Sequence, residues 1–351
     1  RVTMNRWVDM SACGWHSGDG HVHIERATPA ANRIALQWAQ AEDVRVCNVL
    51  LMGDARQSYY AQYAFAAAGT AELDGAWLVP GQEDPRTRYL GHTLHLGPPS
   101  LLREPASYYD YRPVFAGNHG RGLSGFAHVG RRRWSFQADR GLTLLAPAGL
   151  VDFAEIAQMG YIGVSLWYEF LNLGFRLTAM AGSDVPWGGT IGGTRVYAYT
   201  GTEFNAGRWL EAVRRGHTFV TTGPMLEFSV NGRLPGSILR VRAGESITIK
   251  ARSWGESPDA KPVRLNLVSG GAVVKAVRGE GSLETDTELR AERSFWITAA
   301  SETNREPLMD QSGFFTGAVA TPVYVEVDGR PWRDEARLGE QSEVVQNAFA
   351  K

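Results

Sequence analysis

His21 and His23 stand two positions apart in Gly18-Asp19-Gly20-His21-Val22-His23-Ile24, a segment of β-type composition. Side chains alternate across a strand, so both imidazoles face one way while Val22 and Ile24 face the other, into packing. Two nitrogens on one face can converge on a single metal ion. Asp19 shares their parity and offers either a further ligand or the carboxylate that fixes a histidine tautomer. A lone His-x-His is as often structural as functional, so its companions decide. Glu83 follows the apolar run 77–79 and the turn Pro80-Gly81, and Asp184 follows the run 177–181. His128 lies inside the apolar stretch 125–130, where a polar ring needs a hydrogen-bond partner or a metal. Strand ends are where chemistry collects in α/β folds, although an isolated Glu83 would read as a solvated loop residue.

Seven of the eight histidines fall within the first 128 residues. With His92, the residues His21, His23, Glu83, His128 and Asp184 make a mixed imidazole and carboxylate set, each at or near an expected strand end. Six are more than one metal uses. A carboxylate bridging two histidine-bearing sites would suit two ions roughly 3.5–4 Å apart, activating water for attack on an ester, amide or phosphoryl centre. Nitrogen-rich ligation favours Zn, with Mn or Fe as alternatives, over Mg or Ca.

These residues need elements to hold them. At 351 residues the chain is long enough for two domains. Residues 1–223 alternate β-rich runs with helical stretches at 30–41, 59–68 and 204–215, an α/β pattern. After Gly223-Pro224 strands follow one another with turns between, as in an antiparallel sandwich over 224–332, and Asn231-Gly232 and Asp328-Gly329 mark turns. A polar tail, 333–351, closes the chain. Hydrophobic residues at 44% and charged residues at 21% fit a folded globular chain rather than a disordered one. The net charge of −1 leaves no basic footprint for nucleic acid or an anionic membrane. Two cysteines give no disulfide framework, and no apolar run spans a membrane. The chain does not begin with Met, which fits a secreted or periplasmic product whose signal segment lies outside it, but the compartment stays open.

Taken in order, Gly18-Asp19-Gly20-His21-Val22-His23, Gly81 to Glu83, Gly91-His92, Ala127-His128 and Ser183-Asp184 resemble the PHP (polymerase and histidinol phosphatase) metallohydrolases, and within them the carbaryl-hydrolase-like branch (CehA/McbA type). Leu171-Asn172-Leu173-Gly174-Phe175-Arg176, the run 214–224 and Thr321-Pro322-Val323-Tyr324-Val325 extend the likeness over most of the chain. The resemblance implies a distorted (β/α)7 barrel, here followed by an all-β immunoglobulin-like sandwich. It implies that His21, His23 and Asp184 bind one metal, that Glu83 bridges, and that His92 and His128 serve a second. Asp184-Val185-Pro186 stands where many members carry Asp-x-His, so one histidine ligand is missing; His16 either substitutes for it or is a surface ring. His217, where relatives usually carry a basic residue, is a substrate contact, a general acid or a helix-end cation.

Arg131-Arg132-Arg133 beside Trp134 reads as a solvated loop rather than a nucleic-acid patch. The Gly-rich run 188–194 lacks a Walker lysine and reads as a flexible loop near Asp184. Arg195 either holds an anionic or carbonyl group of a substrate or makes a surface ion pair. His95 and His119 are structural by default. The resulting expectation is a metal-dependent hydrolase acting on an ester, carbamate or amide of a small molecule, with His128, Asp184, His217 and Arg195 as its catalytic side chains. A phosphoesterase on the same site is the alternative, as is a secreted binding protein that keeps a structural metal. A homo-oligomer is compatible with either.

Overall fold

The computed structural model describes residues 6–130, 138–307 and 313–333. Arg131 to Trp134, and the tail beyond Arg333, lie outside the described residues. The strands that matter for the site are β1 (Trp15–Val22), β2 (Val46–Gly53), β3 (Ala76–Glu83), β4 (Gly91–Leu96), β5 (Leu123–Phe126), β6 (Phe153–Gln158) and β7 (Thr178–Gly182). All but one of their residues are buried, which fits strands covered on both faces.

The α/β reading, a (β/α)7 barrel ahead of a separate immunoglobulin-like sandwich, is corrected by the strand pairing. Strand makes up 42% of the structure and helix 18%, so the chain is mostly β. Strands from both halves join in one large mixed sheet, with a three-stranded sheet beside it. β1, β2 and β3 run parallel, but β3 meets β4, and β4 meets β5, antiparallel; β5, β6 and β7 are again parallel. The expected helix at 59–68 is replaced by the strand pair Ser58–Tyr59 and a single helical turn, Ala66–Gly69. Alanine-rich composition is a weak prior, and here the backbone of 61–63 pairs with Arg26 instead: Arg26 N–H donates to Ala61 O at 2.8 Å and Tyr63 N–H to Arg26 O at 2.7 Å. The helices Asn32–Ala41 and Ala206–Arg214 form where the apolar spacing places them.

β1 is the hinge of the arrangement. One edge pairs with β2, and the other pairs antiparallel with Arg195–Tyr199, which continues through Thr218–Thr221 and Gly317–Ala320 to Phe295–Thr303. Beyond the ladders each makes with other strands, the chain at the ends of β1 and β7 is stitched together: Asp184 N–H donates to His21 O at 2.7 Å and His23 N–H to Val185 O at 2.8 Å. Gly18 in β1 lets the indole of Trp209 lie against the strand, since a Cβ there would sit 2.2 Å from the ring.

The C-terminal strands follow the sequence pattern closely. Met225–Val230, Glu245–Trp254 and Ser282–Ala291 form the three-stranded antiparallel sheet. Its inward residues Phe228, Ile247, Ile249 and Leu283 pack against Leu265, Ile297 and Val325 of the large sheet. Asn231 and Asp328 adopt φ of 46° and 51°, each followed by glycine at positive φ, and the turns close with Arg233 N–H to Val230 O and Arg330 N–H to Val327 O. Among the described residues, no helix is long and apolar enough to cross a membrane.

His95 on β4 is fully buried, its ring nitrogens 2.9 Å from Ser124 Oγ and 3.1 Å from Thr93 Oγ1. Burial pushes this ring down from 6.5 to about 3. The folded state therefore binds fewer protons than the unfolded state between those values. The stabilisation is complete above pH 6.5 and is lost on acidification, at up to about 1.4 kcal/mol per pH unit for one such group. Stability from urea melts should fall as pH drops from 6.5 towards 4, and His95→Gln should flatten that slope. A slope unchanged in the variant would assign the acid sensitivity elsewhere.

Candidate metal centre

The structure gathers six of the residues singled out in the sequence into two adjoining trios, His21/His23/Asp184 and Glu83/His92/His128, all buried. In the first, His21 Nε2 lies 3.1 Å from His23 Nε2, and Asp184 Oδ1 lies 3.5 and 3.6 Å from these two nitrogens. In the second, His92 Nδ1 lies 2.7 Å from Glu83 Oε1 and 3.2 Å from His128 Nε2. Glu83 touches both: Oε1 belongs to the second trio, while Oε2 lies 3.4 Å from His23 Nε2 and 3.9 Å from His21 Nε2.

The tautomers decide what such a cluster can hold. His21 Nδ1 meets the carboxylate Glu155 Oε1 at 2.9 Å, and His23 Nδ1 meets the carbonyl Leu50 O at 3.1 Å. Both partners only accept, so both Nδ1 atoms carry protons, and in the neutral rings both Nε2 atoms present lone pairs. Two lone pairs facing each other at 3.1 Å, with a carboxylate oxygen beside them, repel unless a cation lies between. Ligand atoms about 2.0–2.1 Å from a tetrahedral ion are separated by about 3.3 Å, the spacing found in this trio. His128 is oriented in the same way. Gln158 donates from Nε2 to Asp184 Oδ2 at 2.8 Å, so its Oε1 accepts from His128 Nδ1 at 2.7 Å and turns Nε2 towards His92. The donor set fits two divalent cations of the Zn, Mn or Fe type.

Local backbone geometry aims these side chains. His128 and Asp184 both adopt φ of +58°, a left-handed conformation costing of order 1 kcal/mol for a non-glycine residue, and both are held there by backbone donors. His128 N–H donates to Glu155 Oε2 at 2.9 Å and Asp184 N–H to His21 O. Gly182 is needed for close approach: a Cβ would meet His21 Cβ at 2.2 Å and Glu155 Oε1 at 2.8 Å.

The charges are strongly coupled. Burial would raise Glu83, but the surrounding imidazoles, led by His92, hold its carboxyl well below the usual range. Burial pushes His92 itself down to about 3, against the pull of Glu83. Burial would lower His21, yet the pull of Glu155, Asp184 and Glu83 raises it well above its ordinary value. The site attracts positive charge to the Nε2 of His21. Burial pushes Asp184 upward.

Four sequence candidates serve elsewhere. Asp19 is fully buried beneath the first trio, but its carboxylate accepts from the backbone N–H groups of His21, Ser183 and Gly192 at 3.0, 2.9 and 2.8 Å, so it fastens the loops rather than facing the cluster. The Gly-rich run is thereby tied down at Gly192. His16 lies in neither trio and is not a surface ring: it is buried and stacked on Phe204 at 4.1 Å. His217 Nδ1 donates to Pro235 O at 2.6 Å. Arg195 donates to the carbonyls of Gly192 and Glu42, and among the described residues it has no ion pair. The sequence reading missed Glu155, Gln158 and Arg86. For the first two there was a signal: they are the charged and amide residues within the fully buried run of β6. Tyr60 and the half-exposed Trp187 flank His23, with ring centroids 5.4 and 5.5 Å from its own.

No family model matches the sequence, and no curated protein matches it. Among solved structures, the fibronectin(III)-like modules of Clostridium thermocellum CbhA are similar over 29% of this chain and 98% of theirs, at 15% identity and a TM-score of 0.20. The CARDB domain of a Pyrococcus furiosus protein is similar over 31% of this chain and 98% of its own, at 10% identity and a TM-score of 0.21.

Glu155→Gln keeps the shape of the group behind His21 and His128 but removes its charge. Partners of this kind typically contribute about 10–100-fold to metal affinity, and a loss in that range is expected in a Zn titration against a competing chelator. Unchanged affinity would show that Glu155 does not tune the cluster.

Proposed function

We propose that this protein is a metal-dependent hydrolase, acting on an ester, carbamate or amide bond of a small molecule. The observation that carries the reading is Glu83, whose two carboxylate oxygens face two separate trios of ligand-type atoms. A carboxylate so placed is what two neighbouring divalent ions share. The resemblance of the motif residues to carbaryl-hydrolase-like PHP metallohydrolases supports the same chemistry; it rests on those residues and not on architecture.

Divalent cations in the two trios would supply a water of lowered pKa and polarise the oxygen of the bond under attack. The chain's own residues prepare for this. Glu155 and the Leu50 carbonyl keep protons on the Nδ1 atoms of His21 and His23, leaving their Nε2 lone pairs available. Gln158 does the same for His128 while holding Asp184 through Oδ2. Tyr60 and Trp187 form an aromatic wall beside His23 against which an apolar part of a substrate can rest. A phosphoester is the second reading, favoured by Arg86, whose guanidinium lies beside the second trio where an anionic group would meet it.

Protein purified without chelator or metal-affinity resin should carry at least one equivalent of Zn, Mn or Fe by elemental mass spectrometry. It should hydrolyse members of an ester, carbamate, amide and phosphoester panel. Chelation should abolish turnover, and metal should restore it. The double variant His21→Ala/His23→Ala should lose both metal and activity, by about a thousandfold or more for the latter if the cations carry the reaction. Full activity in the double variant, or in chelated protein, would sink the proposal.

A further inference from the structure

The two trios differ in one respect that their ligand types do not reveal. Among the described residues, the ion pairs of the first trio are with carboxylates alone, Glu83, Glu155 and Asp184. The second trio has a cationic side chain pressed into it. Arg86 Nε donates to His92 Nδ1 at 3.3 Å and lies 3.6 Å from Glu83 Oε1. His92 Nδ1 is the same atom that faces Glu83 at 2.7 Å and His128 Nε2 at 3.2 Å, so it is the atom this ring would offer to a cation.

His92 Nδ1 faces Glu83 Oε1 at 2.7 Å and the Arg86 guanidinium at 3.3 Å, so a cation held by these atoms would meet the guanidinium's positive charge at contact distance. The contact is not a loose one: the same guanidinium lies 3.6 Å from Glu83 Oε1. Nor is Arg86 a surface side chain that has strayed inward. It sits in the strand pair Arg86–Thr87, directly across from His92 in an antiparallel register, and its backbone N–H donates to the Tyr108 hydroxyl at 3.0 Å. Cross-strand pairing therefore sets the guanidinium over the ring. With 27% of its side chain exposed, it has a route outwards to water.

We propose that Arg86 is a built-in competitor for the second cation. It occupies the Glu83/His92/His128 trio when that position is empty and swings outwards when the position loads. The two positions then fill in order, His21/His23/Asp184 first and tightly, the second weakly and exchangeably. This rests on the dinuclear reading above and adds to it an inequality between the sites.

The test is a titration of metal-free protein with Zn against a chromophoric chelator, for the wild type and for Arg86→Gln and Arg86→Met, with folding checked by circular dichroism. Wild-type protein should show one tight and one weak equivalent. Both neutral variants should tighten the weak equivalent by about tenfold or more and leave the tight one unchanged, since a fixed positive charge at contact distance has been removed. His92→Ala should delete the weak equivalent alone. Two equal equivalents in the wild type, or a second equivalent that neither Arg86 variant tightens, would overturn the competition while leaving a two-metal site intact. Binding of no Zn by any of the proteins would overturn both the competition and the hydrolase reading beneath it.

Discussion

Four imidazoles and three carboxylates, His21, His23, His92, His128, Glu83, Asp184 and Glu155, share a volume from which water is nearly excluded, each no more than 7% exposed. Such a concentration of polar atoms is tolerable only if every proton has an assigned place and the remaining lone pairs meet positive charge. The rest of the molecule answers that requirement. β1 and β7 are stitched together where His21 and Asp184 emerge, and Asp19 fastens three backbone segments from below with two oxygen atoms. Glu155 reaches both trios from β6, through the ring of His21 and the backbone of His128.

The same requirement accounts for the irregular backbone around the cluster. Ligand residues at regular strand positions would project at fixed intervals, and those intervals do not converge from five strands onto one point. Left-handed φ at His128 and Asp184 re-aims two of them just past their strands. Gly182 allows the neighbouring chains to come closer than side chains would permit. The cost of order 1 kcal/mol at each left-handed residue is offset by backbone hydrogen bonds to groups that must themselves be buried.

Much of the cluster was legible in the sequence because its chemistry is carried by rare residue types in apolar settings. His-x-His, a carboxylate after an apolar run and a histidine within one are each weak signals, yet all five residues so identified meet, together with His92. What the sequence hid is pairing direction. A short strand reads the same whether its neighbour is parallel or antiparallel, and the mixed run Gly-His-Thr-Leu-His-Leu gave no warning that β4 reverses the chain between β3 and β5. Residues 59–68 carried helical propensity, but Ala61 and Tyr63 spend backbone hydrogen bonds on Arg26. His16 and Arg195 drew attention through residue type alone, and their partners, a phenyl ring and two carbonyls, leave no trace in local spacing. Arg86 was invisible for a related reason: only the register opposite His92 gives it a role.

The composition of the chain changes near residue 224, but its hydrogen bonding does not stop there. Thr218–Thr221 pairs on one side with Arg195–Tyr199 and on the other with Gly317–Ala320, a strand nearly a hundred residues later. A fragment ending at the change in texture would expose a buried strand, Thr-Phe-Val-Thr, as a naked edge with its donors and acceptors unpaired. Edges of that kind recruit other chains. Dissection at the apparent boundary is thus expected to favour aggregation, since Gly317–Ala320 covers an edge of the part of the sheet that carries His21 and Asp184.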